Sequence, residues 1–295
     1  MTAAVAPSPR RTRPEAAHAP HCPGAGAIAA SAVRCLLLEL ETWPKPGLVS
    51  HFDAGSHDDM DVDTFRASAA AIGPYLHALA DAGARGCGMG RLRVIGMEAE
   101  AAMLAATSGV NTHRGAIFGL GLLCAAAGAR AGGRIDPEVS LGATVSRLWG
   151  GDILDGPVLL HSHGGGVRRR FGAGGARTEA ACGFPGVYDV GLRALRRGAR
   201  AAPDDAEAAR VEACFALIAT LEDTNLLHRG GLAGLRFARR EARRFLHEGS
   251  VGTPGWRARA RSIHERFVAR RLSPGGSADL LAMTLFVEAN ERPAP

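Results

Sequence analysis

Apolar residues recur at helical spacing along almost the whole chain from residue 27 onward. Positions three and four apart are apolar in one segment after another, which places them on one face of an α-helix. Few segments combine β-branched enrichment with the alternation that is typical of strands. The pattern therefore predicts an all-α protein.

Nine segments carry this helical pattern. They are AIAASAVRCLLLELETW, DVDTFRASAAAIGPYLHALADAG, GRLRVIGMEAEAAMLAATSG, GAIFGLGLLCAAAGARA, EVSLGATVSRLW, DDAEAARVEACFALIATLED, GLAGLRFARREARRFLHEG, GWRARARSIHERFVARRL and SADLLAMTLFVEAN. Pro44 should end the first helix, and Pro74 should kink or break the second. Asp136 and Pro137 are typical of a cap and a first-turn proline for the fifth.

The same pattern predicts the domain organisation. Residues 1–25 are rich in proline and poor in large apolar groups, which is typical of a disordered tail. Residues 26–292 should form a single compact multi-helix domain, because no linker or internal repeat divides them. Within that domain, residues 149–188 are rich in glycine and lack periodicity, so we expect a glycine-rich central loop region.

Composition narrows the classes of function. Apolar residues make up 46% and charged residues 22% of the chain, which is ordinary for a soluble protein. The net charge of +6 is spread without interleaved aromatics, so a nucleic-acid partner is not indicated. The six cysteines form no CxxC pair, which favours reduced thiols in the cytoplasm. No apolar run approaches the roughly 18 residues that a membrane span needs.

Polar residues inside apolar helical patterns are the first candidate functional residues. Glu98 and Glu100 interrupt the third pattern, where a buried carboxylate would need a partner, a proton or a metal ion. An arginine ion pair is the structural alternative, and the sequence leaves both open. The run EDTNLLHRGG follows the apolar segment ACFALIATL. A solvated C-cap ended by Gly230 would explain its glycines but not Asp223 and Asn225.

Two further motifs lie at expected helix starts. In GVNTHRGAIF, Asn111 or Thr112 can cap the following helix. His113 and Arg114 then occupy its first turn, where a phosphate or a carboxylate would bind favourably. In SPGGSADLL, ordinary helix capping accounts for the polar residues without a functional role.

Acidic and glycine-rich stretches are the last candidates. SHDDMD, residues 56–61, offers hard oxygen ligands for Mg²⁺ together with substrate phosphate, or else is only the acidic start of the second helix. The sequence alone leaves these two interpretations level. GAGGARTE, residues 172–179, is similar to a phosphate-binding loop but does not match GxxxxGK[ST], so a Walker site is excluded there.

These stretches occur together and in one order: WPKPGLVSH, GSHDDMD, GMEAEAAMLAATSGVNTHRGAIFGLGLL, GARTEAACGFP, EDTNLLHRGGLAGL and LSPGGSADLLAMT. In this the chain resembles the triphosphoribosyl-dephospho-CoA synthase family, over about residues 37–287. The resemblance implies transfer of the 5-triphosphoribosyl group of ATP to the ribose 2'-hydroxyl of 3'-dephospho-CoA, with release of adenine.

The resemblance also implies a pathway. The product would be the prosthetic-group precursor used by a holo-acyl-carrier-protein synthase, in malonate decarboxylase or citrate lyase. WPKPGLVSH and NTHRG look more like the malonate decarboxylase branch. Arg114 stands where the citrate lyase branch more often has lysine, which keeps the charge but changes its geometry.

Residue roles follow from the resemblance as expectations. Asp59 and Asp61 match the family's H-x-D-M-D and would hold Mg²⁺, while Asp58 occupies a variable position. Glu100 or Asp223 would be the carboxylate near the anomeric carbon, and His113 a base or a phosphate donor. The expected substrate-binding residues are Lys45, His57, Asn111, Arg114, Arg177, Asn225 and Arg229.

Two other classes of protein remain as alternatives. An all-α, Mg²⁺-dependent diphosphate-handling enzyme would account for DDMD, but a full DDxxD is missing and aromatics are only 5% of residues. A non-catalytic nucleotide- or CoA-binding accessory protein is the other alternative.

Overall fold

The computed structural model describes residues 24–156 and 175–291. Within these ranges the chain forms eleven α-helices and no strand, which confirms the predicted all-α class. The helices are α1 (Ala25–Leu40), α2 (Val62–Ala84), α3 (Met89–Ala106), α4 (Arg114–Ala131), α5 (Leu141–Asp155), α6 (Gly175–Ala181), α7 (Leu192–Ala201), α8 (Ala206–Thr220), α9 (Thr224–His247), α10 (Trp256–Val268) and α11 (Gly275–Glu291). Almost all of the predicted tail, and much of the predicted glycine-rich loop, lie outside the described residues.

The helix α4 is the centre of the domain, with α1, α2, α3, α5, α6 and α11 packed around it. Glycines bring α2 and α4 into backbone contact. A Cβ on Gly83 would lie 1.9 Å from the carbonyl oxygen of Ala125, and one on Gly128 would lie 1.8 Å from that of Ala80. A larger side chain at either glycine would force the two helices apart, so small residues set their spacing.

The helix α8 is a second centre, contacted by α7, α9 and α11. A π-helical turn, Gly186–Gly191, leads into α7, and a 3₁₀ turn, Ser250–Gly252, follows α9. Since α11 packs against both α4 and α8, it joins the two halves of the core. Among the helices that the structure describes, none is long and apolar enough to cross a bilayer.

Two helix features differ in detail from the prediction. Of the kink or break expected at Pro74, the break is absent, since α2 continues through Pro74 to Ala84. Asp136 and Pro137 do not start α5, since Ser140 caps that helix by accepting a hydrogen bond from the amide of Ala143 at 3.1 Å. Neither difference moves a helix out of its predicted place, because the apolar periodicity extends past both signals.

A third difference changes the interpretation of EDTNLLHRGG. The apolar helix α8 ends at Thr220, and the chain is extended at Leu221. Asp223 then caps α9, so the polar run begins a helix instead of ending one. Gly231, at φ 57° and ψ −161°, kinks α9, and the helix continues to His247. The C-cap alternative is therefore excluded, and the polar residues at this position belong to a helix N-terminus.

Candidate functional site

One buried carboxylate joins the N-termini of α9 and α11. Oδ1 of Asp223 accepts hydrogen bonds from the amides of Asn225 at 2.9 Å and Leu226 at 3.3 Å. Oδ2 accepts from the amide and the hydroxyl of Ser277, at 2.8 and 3.0 Å. Burial raises the pKa of Asp223, and these four donors act in the opposite direction. Since each oxygen already has two donors, Asp223 is a cap for two helices at once.

A second carboxylate connects α11 to the start of α4. A Cβ built on Gly115 would lie only 2.0 Å from Oδ2 of Asp279. The amide of Ala116, on the same first turn, donates a hydrogen bond to this carboxylate. Asp279 is half-buried, whereas Asp223 is 1% exposed. The N-termini of α4, α9 and α11 therefore meet around these two carboxylates; we call this place the three-helix junction.

A buried ion pair lies beside the junction. Nζ of Lys45 is 2.5 Å from Oε1 and 2.7 Å from the backbone oxygen of Glu39. Burial raises the pKa of Glu39, while the charge of Lys45 opposes that rise. Burial, and then the charges of Glu39 and Asp223, raise the pKa of Asp279 well above its ordinary value. Because the ammonium group of Lys45 is buried against Glu39, it acts on the junction through its field.

His113 lies at the entrance to α4 with its ring buried. Its Nδ1 is 2.6 Å from the hydroxyl of Ser68, which in turn accepts a hydrogen bond from Thr112 at 2.7 Å. Burial, and then the charge of Lys45, lower the pKa of His113 to about 4. The imidazole is therefore neutral at physiological pH and ties α2 to the start of α4.

The acidic candidate in α3 has an arginine partner. Glu100 and Arg114 form an ion pair whose side chains are 28% and 38% exposed. The oxygen of the Asn111 side chain accepts a hydrogen bond from the amide of Arg114 at 3.3 Å, as expected for a residue at a helix start. Glu98 is exposed. The ion-pair alternative is thus the observed arrangement for Glu100, but the pair remains open to solvent beside Gly115.

SHDDMD forms a loop that is held against α9 and the segment before α11. Nη2 of Arg229 donates to Nδ1 of His57 at 3.1 Å, so Nε2 is the protonated nitrogen and donates to the hydroxyl of Ser273 at 2.9 Å. Burial, and then the charge of Arg229, lower the pKa of His57. The carboxylate of Asp59 lies 3.6 Å from His57 and is 64% exposed.

Asp61 occupies the N-cap of α2. Its Oδ1 accepts hydrogen bonds from the amide and the hydroxyl of Thr64, at 2.9 and 2.7 Å, and the backbone bond is the main cause of its lowered pKa. Asp58 pairs with Arg271 at 3.2 Å. The acidic helix start, one of the two interpretations of this motif, is therefore present. In residues 24–156 and 175–291, no group of three or more His, Cys, Asp or Glu side chains is placed to hold a metal ion.

Arg177 lies apart from the junction. Its Nε donates to the carbonyl of Ile153 at 2.8 Å, and Nη2 donates to those of Leu154 at 2.8 Å and Gly156 at 2.9 Å. These are carbonyls at the C-terminal end of α5, which a cation stabilises. The Arg168–Arg170 run lies outside the described residues.

The fold thus assembles the predicted residues in three groups. The first group lies at or beside the three-helix junction and consists of Lys45, His113, Asp223 and Asn225. Asn225 belongs to it because a Cβ on Gly275, at the start of α11, would lie 2.7 Å from the Asn225 amide group. His57, Asp59 and Arg229 meet on the SHDDMD loop, and Glu100, Asn111 and Arg114 lie at the start of α4.

Sequence reasoning missed two carboxylates, Glu39 and Asp279. Each had a signal in the sequence, because each is the lone acid in an apolar run: LLLEL for Glu39 and SADLLAM for Asp279. A capping explanation was sufficient for Asp279 in isolation. Only its contact with Gly115 sets it apart.

Comparisons with known proteins place these motifs in a family. A model of the family described as ATP:dephospho-CoA triphosphoribosyl transferase matches residues 25–294. A protein of Azotobacter vinelandii named probable 2-(5''-triphosphoribosyl)-3'-dephosphocoenzyme-A synthase is 45% identical over 267 residues, covering 88% of this chain and 90% of that protein. A protein of the same name from Pseudomonas putida is 40% identical, covering 88% and 93%. No solved structure gives a significant match.

Proposed function

Since this chain belongs to the ATP:dephospho-CoA triphosphoribosyl transferase family, we propose that it joins ATP and 3'-dephospho-CoA at the three-helix junction. The 5-triphosphoribosyl group of ATP passes to the ribose 2'-hydroxyl of dephospho-CoA, and adenine is released. The protein is therefore a pentosyltransferase, and the triphosphate of ATP stays intact in the product.

The observation that carries this assignment is the convergence of the N-termini of α4, α9 and α11. Each helix start presents the positive end of a helix dipole, which favours anions such as phosphate. The amides of Ala116, Asn225, Leu226 and Ser277 already donate to the two carboxylates at these ends. Three such ends in one place suit a substrate with a chain of phosphates. The carboxylates of Asp279 at this place and of Glu100 beside Gly115 supply the acidic chemistry that glycosyl transfer needs.

The exposed cations beside the junction are the phosphate-binding candidates. Arg229 reaches out from the first turns of α9, and Arg114 from the first turn of α4. The amide groups of Asn111 and Asn225 lie at the same two helix starts, where they suit ribose or phosphate oxygens. Arg177, bound to the end of α5, would instead support the local fold.

The catalytic carboxylate near the anomeric carbon is better assigned to Glu100 than to Asp223. An oxocarbenium-like transition state is stabilised by a carboxylate that a substrate can approach. Glu100 is 28% exposed, whereas Asp223 is buried with all its oxygens bonded. If Glu100→Gln retained normal turnover, this role would be excluded.

Asp59 and Asp61 are the residues that would hold Mg²⁺. Mg²⁺ takes one or two protein carboxylates and completes its shell with phosphate oxygens and water. Two observations support this proposal: Asp59 is exposed, and the helix cap uses only Oδ1 of Asp61 for its two hydrogen bonds, which leaves carboxylate oxygens available to an ion. The ion would neutralise charge on the triphosphate. Asp59→Asn should then raise the Mg²⁺ concentration needed for half-maximal activity, which a titration measures.

One assay separates the three classes of function. The protein is incubated with ATP, dephospho-CoA and Mg²⁺, and the products are resolved by chromatography. Release of adenine together with a new triphosphoribosyl adduct supports the transferase. Release of diphosphate would support the diphosphate-handling enzyme, and binding without any product would support the accessory protein.

The biological setting extends the proposal. We assign the product to a holo-acyl-carrier-protein synthase in the cytoplasm, with malonate decarboxylase favoured over citrate lyase by WPKPGLVSH and NTHRG. The genes that flank the coding sequence distinguish the two branches. In one branch they would encode the subunits of malonate decarboxylase, and in the other those of citrate lyase.

A further inference from the structure

One carboxylate at the three-helix junction, that of Asp279, differs from its neighbours in its hydrogen bonds and in its exposure. Glu39 is ion-paired with Lys45 at 2.5 Å, and Asp223 accepts four hydrogen bonds. Asp279 accepts the amide of Ala116 and retains partial exposure. Of these three acids, Asp279 is the only one whose residue is not fully buried, so it is the one that we expect a bound substrate to approach.

Its position is set by two contacts from different helices. Ser277, two residues earlier on α11, is fixed to Asp223 through both its amide and its hydroxyl. On the opposite side, the backbone of Gly115 lies so close that a Cβ would overlap Oδ2 of Asp279 at 2.0 Å. The carboxyl group therefore packs directly against the first turn of α4.

The charges around Asp279 favour its protonated form. Glu39 on α1 and Asp223 at the start of α9 both raise its pKa after the effect of burial, and only the Ala116 amide lowers it. A carboxyl group beside two other carboxylates keeps its proton more readily. Other titratable groups near these acids are Lys45, neutral His113 and the buried thiol of Cys214, and the Glu100–Arg114 pair lies beside Gly115.

We propose that Asp279 is the general acid that protonates adenine as it leaves. The inference rests on the proposed transferase function and assigns a residue to its leaving-group step. As the bond between ribose C1 and the adenine nitrogen breaks, its electron pair goes to adenine, and Asp279 donates a proton to a ring nitrogen of the base. The 2'-hydroxyl oxygen of dephospho-CoA bonds to C1 and releases its proton, which restores the acid through water. Protons and electrons therefore balance over one turnover.

The neighbouring carboxylates then have different tasks. Asp223 is a positioning residue, since its hydrogen bonds align α11 with α9. Glu39 supplies the negative field that keeps Asp279 protonated and is itself balanced by Lys45. An acid held at this place would let adenine depart as a neutral base, which is a far better leaving group than its anion.

The test compares Asp279→Asn, Asp279→Glu and a matched control. Asp189→Asn removes an exposed surface carboxylate that pairs with Arg193 at 3.4 Å. We expect Asp279→Asn to lower kcat for adenine release by about 100-fold or more, with the affinity for ATP alone unchanged in calorimetry. Asp279→Glu should recover part of kcat, and Asp189→Asn should match the wild type.

Two further measurements distinguish acid catalysis by Asp279 from a structural role. In the wild type, kcat should fall as the pH rises through the pKa of Asp279, and this limb should vanish in Asp279→Asn. N7-methylated ATP carries a base that leaves without being protonated, so it should restore turnover in Asp279→Asn far more than in the wild type. If Asp279→Asn fails to fold, the wild-type pH profile and Asp279→Glu still decide.

The outcomes distinguish the two levels of inference. A wild-type enzyme that releases no adenine would overturn the proposed function itself. A wild-type enzyme that releases adenine, with Asp279→Asn within threefold of its kcat, would overturn only the role of Asp279. A wild-type kcat that rises with pH through this range would also overturn it, because the carboxylate would then act as a base.

Discussion

Gly115→Ala is the sharpest perturbation of the three-helix junction, because it changes no charge and no hydrogen-bonding group. Gly115 is the second residue of α4, where backbone angles are helical and alanine is ordinarily preferred over glycine. The new methyl group, however, would start 2.0 Å from Oδ2 of Asp279, and ordinary contact begins at 3.4 Å. The carboxyl group must therefore retreat by more than 1 Å, roughly, from the place where α4 now holds it.

The two effects on the protein have opposite signs. Replacing glycine by alanine in a helix stabilises it by up to about 1 kcal/mol, while crowding a packed site costs about 1 to 3 kcal/mol. Since Asp279 is half-buried and its side chain can rotate, we expect the lower end of that cost and little net change in stability. A displacement of about 1 Å in a catalytic group lowers turnover by about 100-fold.

The assay measures adenine release and the free energy of unfolding on the same preparations. Gly90→Ala is the matched control, because Gly90 is the second residue of α3 and a Cβ there meets nothing within 4 Å. We expect Gly115→Ala to fold with nearly normal stability and to lose most of its kcat, and Gly90→Ala to keep both. A Gly115→Ala enzyme with kcat within threefold of wild type would refute the reasoning, because the carboxyl position would then be immaterial.

Three further outcomes follow from the contacts outside the catalytic step. Asp61→Ala should lower the melting temperature through loss of the α2 cap, whereas Asp61→Asn should retain it, since asparagine caps equally well. Lys45→Met should lower the free energy of unfolding by about 3 to 5 kcal/mol by leaving Glu39 buried and unpaired, and adding Glu39→Gln should recover part of that loss in urea titrations. Burial lowers the pKa of His264, but Asp53 and a backbone carbonyl outweigh it and raise the pKa overall. The stabilisation from protonated His264 should therefore be complete below about pH 6.5, fade as the pH rises through the raised pKa, and be absent from a His264→Gln variant compared at both ends of this range.

Local patterns were sufficient for most of the helices and for the family. Apolar spacing of three and four residues is a property of neighbouring positions, so it indicated each long helix even where a boundary signal misled. Pro74 does not end α2, because helix breaking is a local preference that burial of the surrounding apolar face outweighs. Asp136 and Pro137 resemble a helix start, but Ser140, closer to the apolar pattern, provides the cap of α5. The six ordered motifs were likewise visible without any coordinates, and they led to the family that the comparisons support.

The sequence could not decide which polar residues form hydrogen bonds or contacts with one another. Asp223 and Ser277 are 54 residues apart, and Gly115 and Asp279 come from different motifs, yet these contacts create the junction. The same letters, Asp-Thr-Asn-Leu-Leu, fit a helix end as well as a helix start until the extended residue Leu221 is seen. The sequence by itself determined the helices and the motifs, because these depend on local spacing and on residue types, and the order of the motifs indicated the family and hence its reaction class. Only the tertiary structure decided that Asp223 caps two helices and that Asp279 packs against the first turn of α4, because these contacts join helices that are distant in the chain.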